Sequence, residues 1–283
     1  MSQRTSSARV LEGTGVGLRG PHVPAILAGR PAVRWFELLT DNHLAAGGAP
    51  RFQAESIAEH YPVALHGVGM SLGSVELLDI GYVRRVRDLA RRIGAVHVSE
   101  HIAFAASGGL HSHDLLPLPW TEEALEHLAG RVNRAQHELG ERMLLENVST
   151  YIEYREADFS EGQFLSALVA ETGCGLLLDI NNVYVNSVNH GRDPMELLNA
   201  IPWASVGEIH VAGHDARGGL LIDTHGCRVA GPVLELFAQV IGRAPDVPVL
   251  LEWDTQLPAW ETLWHEAQRI EAARRRGLAR HAA

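Results

Sequence analysis

The sequence contains no lysine, so all 24 of its basic residues are arginine. This absence excludes Schiff-base chemistry at a side-chain amine, and it also excludes the lysine of a P-loop. Cysteine is scarce as well, because Cys174 and Cys227 are too few for a disulfide framework or a cysteine-rich zinc site. The chain has no run of about 18 apolar residues, so we expect no membrane span and no membrane partner.

Positive charge is in deficit, since the net charge of the 283 residues is −10 at pH 7. A surface that binds duplex nucleic acid usually carries a basic stripe, so we expect no nucleic-acid partner. The first residues, MSQRTSSARVLEG, contain no apolar stretch of the length found in signal peptides. We therefore expect a cytoplasmic protein with a short flexible leader.

Short apolar runs alternate with longer amphipathic segments along the chain, a pattern typical of α/β proteins. Strands separated by helices pair in parallel through right-handed crossovers, and eight of them predict a closed (β/α)₈ TIM barrel. The main alternative is a doubly wound open sheet, but no GxGxxG motif follows the first strand. We expect a flexible leader at 1–13, one barrel domain at 14–277 and a flexible tail at 278–283. The predicted strands are Val16–Leu18, Trp35–Leu39, Val63–Leu65, Ala95–Val98, Met143–Leu145, Gly175–Leu178, Val206–Ile209 and Val247–Leu251.

Seven of the eight predicted strands end in histidine, aspartate or glutamate. The carboxyl ends of barrel strands face one shared mouth, so these side chains are predicted to meet. Burying several carboxylates together costs on the order of several kcal/mol each unless they are paired, protonated or bound to a cation. Each residue alone is compatible with an ordinary buried histidine or ion pair, but the whole set favours a cation. The residues are Glu37, His66, Glu100, His101, Glu146, Asp179, His210 and Glu252.

The loop after the seventh predicted strand extends this set with His214, Asp223 and His225. One octahedral ion takes about six ligands, waters included, so roughly ten donors predict two or three ions bridged by carboxylates such as Glu146 and Glu252. A donor set without thiolates suits iron, manganese or zinc. The full predicted metal set is His66, His101, Glu146, Asp179, Asn182, His210, His214, Asp223, His225 and Glu252.

Seven segments occur in the order HGVGMSLGS, VSEH, LLENVSTY, LDINNVYVNSVNH, EIHVAGH, IDTHG and LEWD. Together they resemble the multinuclear non-haem iron-dependent oxidative enzymes, over about Gly15 to Arg269. The resemblance implies a xylose-isomerase-like TIM barrel with two or three iron ions at its mouth. It also implies biosynthesis of a ribosomally synthesised and post-translationally modified peptide (RiPP), in which the enzyme uses O₂ to oxidise cysteine residues of a precursor peptide. A small partner protein would present this peptide to the enzyme.

The same resemblance divides the metal set. His66, His101, Glu146, Asp179, His210 and Glu252 would hold the central irons, and the other four residues would complete a further or shared position. The chain departs from the family pattern in the segment ELLTDNHL, where His43 stands in place of the more usual aromatic residue. This difference concerns only the rim that would bind the peptide.

Two other classes of protein stay open. The first is another barrel metalloenzyme, either a sugar isomerase or a three-zinc abasic-site endonuclease. Sugar isomerases of this shape usually rely on a lysine near the metal, and the endonuclease needs a phosphate-binding surface, which the acidic chain disfavours. The second is a non-catalytic metal-binding or adaptor protein, which O₂ consumption with a cysteine-containing peptide would distinguish from an enzyme.

Overall fold

The computed structural model describes residues 9–108 and 110–282. The described residues form twelve β-strands and nine α-helices. The strands are β1 (Thr14–Leu18), β2 (Phe36–Leu39), β3 (Val63–His66), β4 (Val98–His101), β5 (Phe104–Ser107), β6 (Leu110–Leu116), β7 (Leu144–Glu146), β8 (Gly175–Asp179), β9 (Val206–Ala212), β10 (Asp215–Arg217), β11 (Leu220–Ile222) and β12 (Val249–Glu252). The helices are α1 (Val23–Gly29), α2 (Ala49–His60), α3 (Ile80–Ile93), α4 (Glu122–Leu139), α5 (Glu161–Thr172), α6 (Ile180–His190), α7 (Pro194–Ala200), α8 (Gly231–Val240) and α9 (Trp260–Ala282).

Eight of the strands close into a barrel in the order β1-β12-β9-β8-β7-β4-β3-β2. Every neighbouring pair in the barrel is parallel, and β1 pairs with both β2 and β12 to close it. Helices connect the strands, as parallel pairing requires. The predicted (β/α)₈ barrel is therefore confirmed.

The helix boundaries follow from capping residues that are visible in the sequence. The Thr121 side chain accepts a hydrogen bond from the Ala124 amide at the start of α4, and Ser160 forms a capping box with Gln163 at the start of α5. These side chains satisfy amide groups that have no partner inside the helix. Both helices end at a glycine with a positive φ angle, Gly140 and Gly173, which adopts this conformation at little steric cost.

Three elements lie where the sequence did not predict regular structure. The long loop expected after the fourth strand contains the antiparallel hairpin of β5 and β6, and the loop after the seventh predicted strand contains the hairpin of β10 and β11. Helix α6 follows β8 without a connecting loop, because the Asp179 side chain caps it by accepting a hydrogen bond from the Asn182 amide. Its four asparagines have low helix propensity, so the segment has a weak helical pattern in the sequence.

The apolar core has two parts. The larger part lies between the barrel and the surrounding helices, and includes Phe36, Phe164 and Phe237. The smaller part fills the N-terminal end of the barrel interior with Leu11, Trp35, Ala64 and Leu250. A side chain on Gly15 would overlap the Trp35 ring, so glycine is required there. The C-terminal end of the interior is occupied by polar side chains instead.

The two ends of the chain differ from the predicted leader and tail. Residues 1–8 of the leader lie outside the described residues, whereas Leu11 is only 4% exposed and packs at the lower end of the barrel. The tail was predicted at 278–283, but α9 continues to Ala282, and residue 283 is again outside the described part. The additional turns are held by packing of Gly277 against α8 and by an ion pair of 2.6 Å between Arg280 and Glu235.

Among the residues that the structure describes, no helix combines the length and the apolar character needed to cross a membrane.

Candidate metal centre

Six of the predicted ligands lie on six barrel strands that follow one another around the barrel, in the order β3, β4, β7, β8, β9 and β12. His101 pairs in register with Glu146, and Asp179 pairs in register with His210, so each of these two pairs lies side by side on neighbouring strands. All six side chains are buried. The structure thus brings together, at one mouth, His66, His101, Glu146, Asp179, His210 and Glu252.

The first donor group consists of His66, His101 and Glu146. Nε2 of each histidine lies 3.1 Å from the same carboxylate oxygen, Oε2 of Glu146. Donors of one ion lie about 3 to 4.5 Å apart when metal–ligand bonds are about 2.1 Å long, so this spacing fits a shared ion.

Hydrogen bonds to the other ring nitrogens fix how these two histidines face Glu146. Nδ1 of His101 donates to the Gly67 carbonyl oxygen at 3.0 Å. Nδ1 of His66 lies 2.8 Å from the Ser99 hydroxyl, which itself donates to the Leu65 carbonyl and therefore accepts from the imidazole. Because Nδ1 is the donor in both rings, Nε2 is the nitrogen left to face Glu146, which is the arrangement found in metal-binding histidines.

Glu100, although it also ends a strand, has a different role. Its two carboxylate oxygens accept hydrogen bonds from the backbone amides of Met70 and His101, both at 2.9 Å. A Cβ atom on Gly67 would lie 2.8 Å from Glu100, so glycine allows this close approach. Glu100 therefore fixes the loop after β3 and the end of β4.

The second donor group consists of Glu146, Asp179, His210 and Glu252, whose ligand atoms all lie within 4.8 Å of one another. Nδ1 of His210 lies 3.0 Å from Glu252 and 3.8 Å from Glu146. Because Glu146 also belongs to the first group, it lies between the two positions.

The other nitrogen of His210 faces deeper into the barrel. Its Nε2 lies 3.3 Å from Glu37 and 3.4 Å from Glu208, and Glu208 also contacts His97. With Nε2 facing these two carboxylates, Nδ1 is the nitrogen directed to the second donor group. Glu208 was not predicted as a site residue, because it lies within a strand rather than at its end.

The third donor group consists of His225, Glu252 and Asp254, so Glu252 is shared just as Glu146 is. The loop returns to the mouth because the His225 amide donates to the Gly213 carbonyl at 3.0 Å. His225 has a φ angle of 46°, in the left-handed region that few non-glycine residues adopt, which costs on the order of 1 kcal/mol. Its Nε2 lies 2.5 Å from Asp223. Asp254 was not predicted as a ligand, although the segment LEWD contains it.

Two further predicted residues, His214 and Asp223, lie beside this third group, and Asn181 links them. Nδ1 of His214 lies 2.7 Å from Oδ1 of Asn181, whose amide nitrogen donates to Asp223 at 2.7 Å. The His214 ring stacks on Tyr184 with a centroid distance of 5.4 Å. His214 belongs to none of the donor groups found in the described part of the chain, and it lies beside them rather than within them.

The charges of the cluster influence one another strongly. Burial opposes protonation of His66, but the carboxylates of Glu37 and Glu146 outweigh it and raise the pKa of His66 to about 10. Burial and the charges of Glu146 and Asp223 raise the pKa of Asp179 well above its usual value. Carboxylates this close require positive charge between them, which protons supply when no cation is bound.

Several buried acceptor atoms of the cluster have no hydrogen-bond partner among the described residues, and they include Glu146 Oε2, Asp179 Oδ2 and Asn182 Oδ1. Nε2 of His66 and Nε2 of His101 lie 3.1 Å from Glu146 Oε2, but neither forms a hydrogen bond with it. Buried polar atoms are rarely left unpaired, because each one costs about 1–3 kcal/mol. All three named acceptors are oxygen atoms that bind hard or borderline metal ions, so the cluster fits a metal centre.

Comparison with known proteins agrees with this geometry. The model of the family described as RiPP precursor modification enzyme MbnB/TglH/ChrH matches residues 13–275, where RiPP denotes a ribosomally synthesised and post-translationally modified peptide. A UPF0276 protein of Acaryochloris marina is 45% identical over 261 residues, covering 92% of this chain and 94% of the relative. A UPF0276 protein of Anaeromyxobacter sp. is 43% identical over 268 residues, covering 94% of this chain and 95% of the relative.

Solved structures share the barrel at low sequence identity. Endonuclease IV from Thermus thermophilus superposes with a TM-score of 0.62 at 18% identity, over 92% of this chain and 98% of that one. A xylose isomerase domain protein from Alicyclobacillus acidocaldarius superposes with a TM-score of 0.60 at 18% identity, over 97% of this chain and 100% of that one. These similarities show that the chain has a xylose-isomerase-like barrel, and they concern the fold alone, because one fold can support many activities. By the extent of the family match and the identity of its relatives, the chain belongs to the MbnB/TglH/ChrH family of RiPP precursor modification enzymes.

Proposed function

We propose that the protein uses O₂ to oxidise cysteine residues of a ribosomally made precursor peptide, with two or three iron ions held at the barrel mouth. The observation that carries this proposal is the sharing of carboxylates. Glu146 belongs to the first and second donor groups, and Glu252 belongs to the second and third. A carboxylate shared between neighbouring groups is suited to bridging two ions, and the family match supports a peptide as the substrate.

The donor chemistry suits iron. The donor groups found among the described residues contain imidazole and carboxylate ligands, which leave coordination positions free and tolerate a change of oxidation state. Iron held there would supply the redox chemistry that O₂ requires and a positive charge that favours the thiolate form of a cysteine. Cys227 is in none of these groups, and its sulfur instead lies 3.3 Å from the His214 carbonyl oxygen.

The residues divide among three positions in this proposal. The first group would hold one ion, the second group another, and the third group a third with help from Asp223. Asn182 and His214 would supply further donors at the edge of the second and third positions. Ser99 and the Gly67 carbonyl keep His66 and His101 oriented, while Glu37 and Glu208 face the nitrogen of His210 that is not directed to the second group.

The rim of the mouth offers apolar surface for a peptide. Tyr151 and Ile152, on the loop after β7, are exposed, and so is Leu220 on the β10–β11 hairpin. Exposed apolar side chains grouped around a mouth are typical of binding surfaces. We include in the proposal a small partner protein that presents the peptide. The exposed side chains of Val75 and of Leu77, which is 97% exposed, support an interface for it near the β5–β6 hairpin.

The test begins with protein produced in iron-rich medium and purified without oxygen. Elemental analysis is expected to give two or three irons per chain, with the spectroscopic signature of interacting ions. The protein is then mixed with a cysteine-containing precursor peptide encoded beside its own gene. Admission of O₂ should change the peptide mass, and the same peptide with serine in place of cysteine should stay unmodified.

Two outcomes would contradict the proposal. Protein that binds zinc, stays colourless and consumes no O₂ would favour a barrel hydrolase or isomerase. Iron-loaded protein that binds the peptide without consuming O₂ would favour a non-catalytic metal-binding protein.

A further inference from the structure

A cavity of about 340 Å³ lies beside the barrel mouth, between the loop after β7, the start of α5 and the connection of α6 to α7. Trp120, Phe159, Val183 and Leu197 line its apolar side. Val183, which lines the cavity, directly follows Asn182 on α6, so the cavity lies next to the metal centre along this helix. The cavity is therefore separate from the donor groups but adjoins them.

One carboxylate oxygen in this cavity lacks a hydrogen-bond partner. Oε1 of Glu161, the first residue of α5, is buried and forms no hydrogen bond within the described part of the chain. Burial raises the pKa of Glu161 to about 7, although the charge of Arg192 lowers it. A buried carboxylate without a partner is unfavourable, so an occupant that brings a hydrogen-bond donor and a positive charge would relieve it.

The residues around the cavity are mostly acidic, so they carry the same negative sign of charge as the Glu161 carboxylate. Glu156 and Glu196 lie at its exposed rim, together with Glu153 and Asp193. Arg192 also lines the cavity, but it forms an ion pair with Glu153. The cavity therefore carries an excess of negative charge next to aromatic surface, and this combination is complementary to a cation with an aliphatic stem.

We propose that this cavity binds a basic side chain, arginine or lysine, of a peptide, with the charge at Glu161 and the aliphatic stem against Trp120 and Phe159. The identity of that peptide as the substrate rests on the proposed function. A peptide fits better than a free small cation, because the cavity opens beside Ile152 and Tyr154, which are 55% and 40% exposed. These side chains give the residues flanking the basic one an apolar surface to pack on.

The experiment measures binding of fluorescein-labelled peptides to the metal-loaded full chain by fluorescence anisotropy. The probes are Gly-Leu-Arg-Leu-Gly and the same peptide with citrulline, the neutral isostere of arginine. Wild-type protein is expected to bind the arginine peptide at least about tenfold more tightly, since a charge-assisted hydrogen bond is lost with citrulline. Glu161→Gln should remove this preference, and Glu171→Gln, an exposed position on the same helix, should keep it.

Three results would overturn the inference: equal affinity of wild-type protein for the two peptides, no saturable binding of the arginine peptide, or an unchanged preference in Glu161→Gln. Circular dichroism measured on each variant shows whether the fold is intact. The His101→Ala variant, expected to lack iron, should still prefer the arginine peptide. If wild-type protein has normal iron content and O₂ consumption but does not prefer the arginine peptide, only this inference is rejected. If wild-type protein binds no iron and consumes no O₂ but still prefers the arginine peptide, only the proposed function is rejected.

Discussion

At the N-terminal end of the barrel interior, Trp35, Ala64 and Leu250 form an apolar layer with Leu11. Each of these three strand residues is followed, two positions later, by an ionisable residue: Glu37 after Trp35, His66 after Ala64 and Glu252 after Leu250. Residues two apart in a strand point to the same side, so in β3 and β12 the interior changes from apolar to ionisable within a single layer. The lower layer stabilises the barrel by burial. The upper layer is a concentration of charge that needs a cation, so the two ends should respond to mutation in opposite ways.

The largest effect is expected at the upper end. His101→Ala and Glu146→Ala should each lose iron and lower activity by more than about 100-fold, because both side chains belong to the first donor group. Elemental analysis and the peptide oxidation assay measure the two quantities. Circular dichroism should show an intact barrel in both variants, and Glu171→Ala serves as the exposed control. Full iron occupancy in both variants would show that these residues are not ligands.

A smaller and opposite effect is expected at the lower end. Trp35→Ala should lower the free energy of unfolding by about 3–5 kcal/mol, because a fully buried aromatic ring is replaced by a cavity. Below its unfolding temperature the variant should bind as much iron as the parent. Phe52→Ala, at an exposed position on α2, should change stability by less than about 0.5 kcal/mol. Iron loss in Trp35→Ala without loss of stability would contradict the separation of the two ends.

The smallest effect is expected at Glu161, an acid that lies outside the barrel, and it concerns how stability depends on pH. Because burial raises the pKa of Glu161 to about 7 from the usual 4.5 of a glutamate side chain, the folded state keeps a proton that the unfolded chain releases between these two pH values. Stability should therefore fall as the pH rises from about 4.5 to about 7, and the full loss applies above that range. Glu161→Gln should be more stable than the parent by about 1–3 kcal/mol at pH 8 and similar to it at pH 4.

Urea denaturation at the two pH values measures this difference, and Glu171→Gln should show none. An equal effect of Glu161→Gln at both pH values would mean that the Glu161 carboxylate does not titrate in this window.

The sequence predicted the parts of the site that a periodic pattern reveals. Eight apolar runs predicted the barrel, and the ionisable residues that end seven of these runs predicted His66, His101, Glu146, Asp179 and the other mouth residues. Glu208 could not be predicted in this way, because it lies inside the apolar run of β9 and not at the end of that run. Asp254 was not distinguished from a solvent-exposed acid, since only the return of the loop through Gly213 and His225 brings a histidine beside it.

Long-range geometry also explains the other differences. The helical conformation of α6 depends on the Asp179 cap, which overrides the low propensity of its asparagines. His214 was grouped with the ligands by its distance along the chain. Its ring is oriented by Asn181 and Tyr184 beside the donor groups, and sequence spacing does not reveal these contacts between segments.

The sharing of Glu146 and Glu252 also determines how the centre would assemble. An ion that occupies one donor group fixes the rotamer of a carboxylate on which the adjacent group depends, so entry of each ion would prepare the position beside it. Loading would then be cooperative, and partly filled protein would be scarce during a titration. The three positions would behave as one polydentate chelator, built by neighbouring strands, rather than as independent sites.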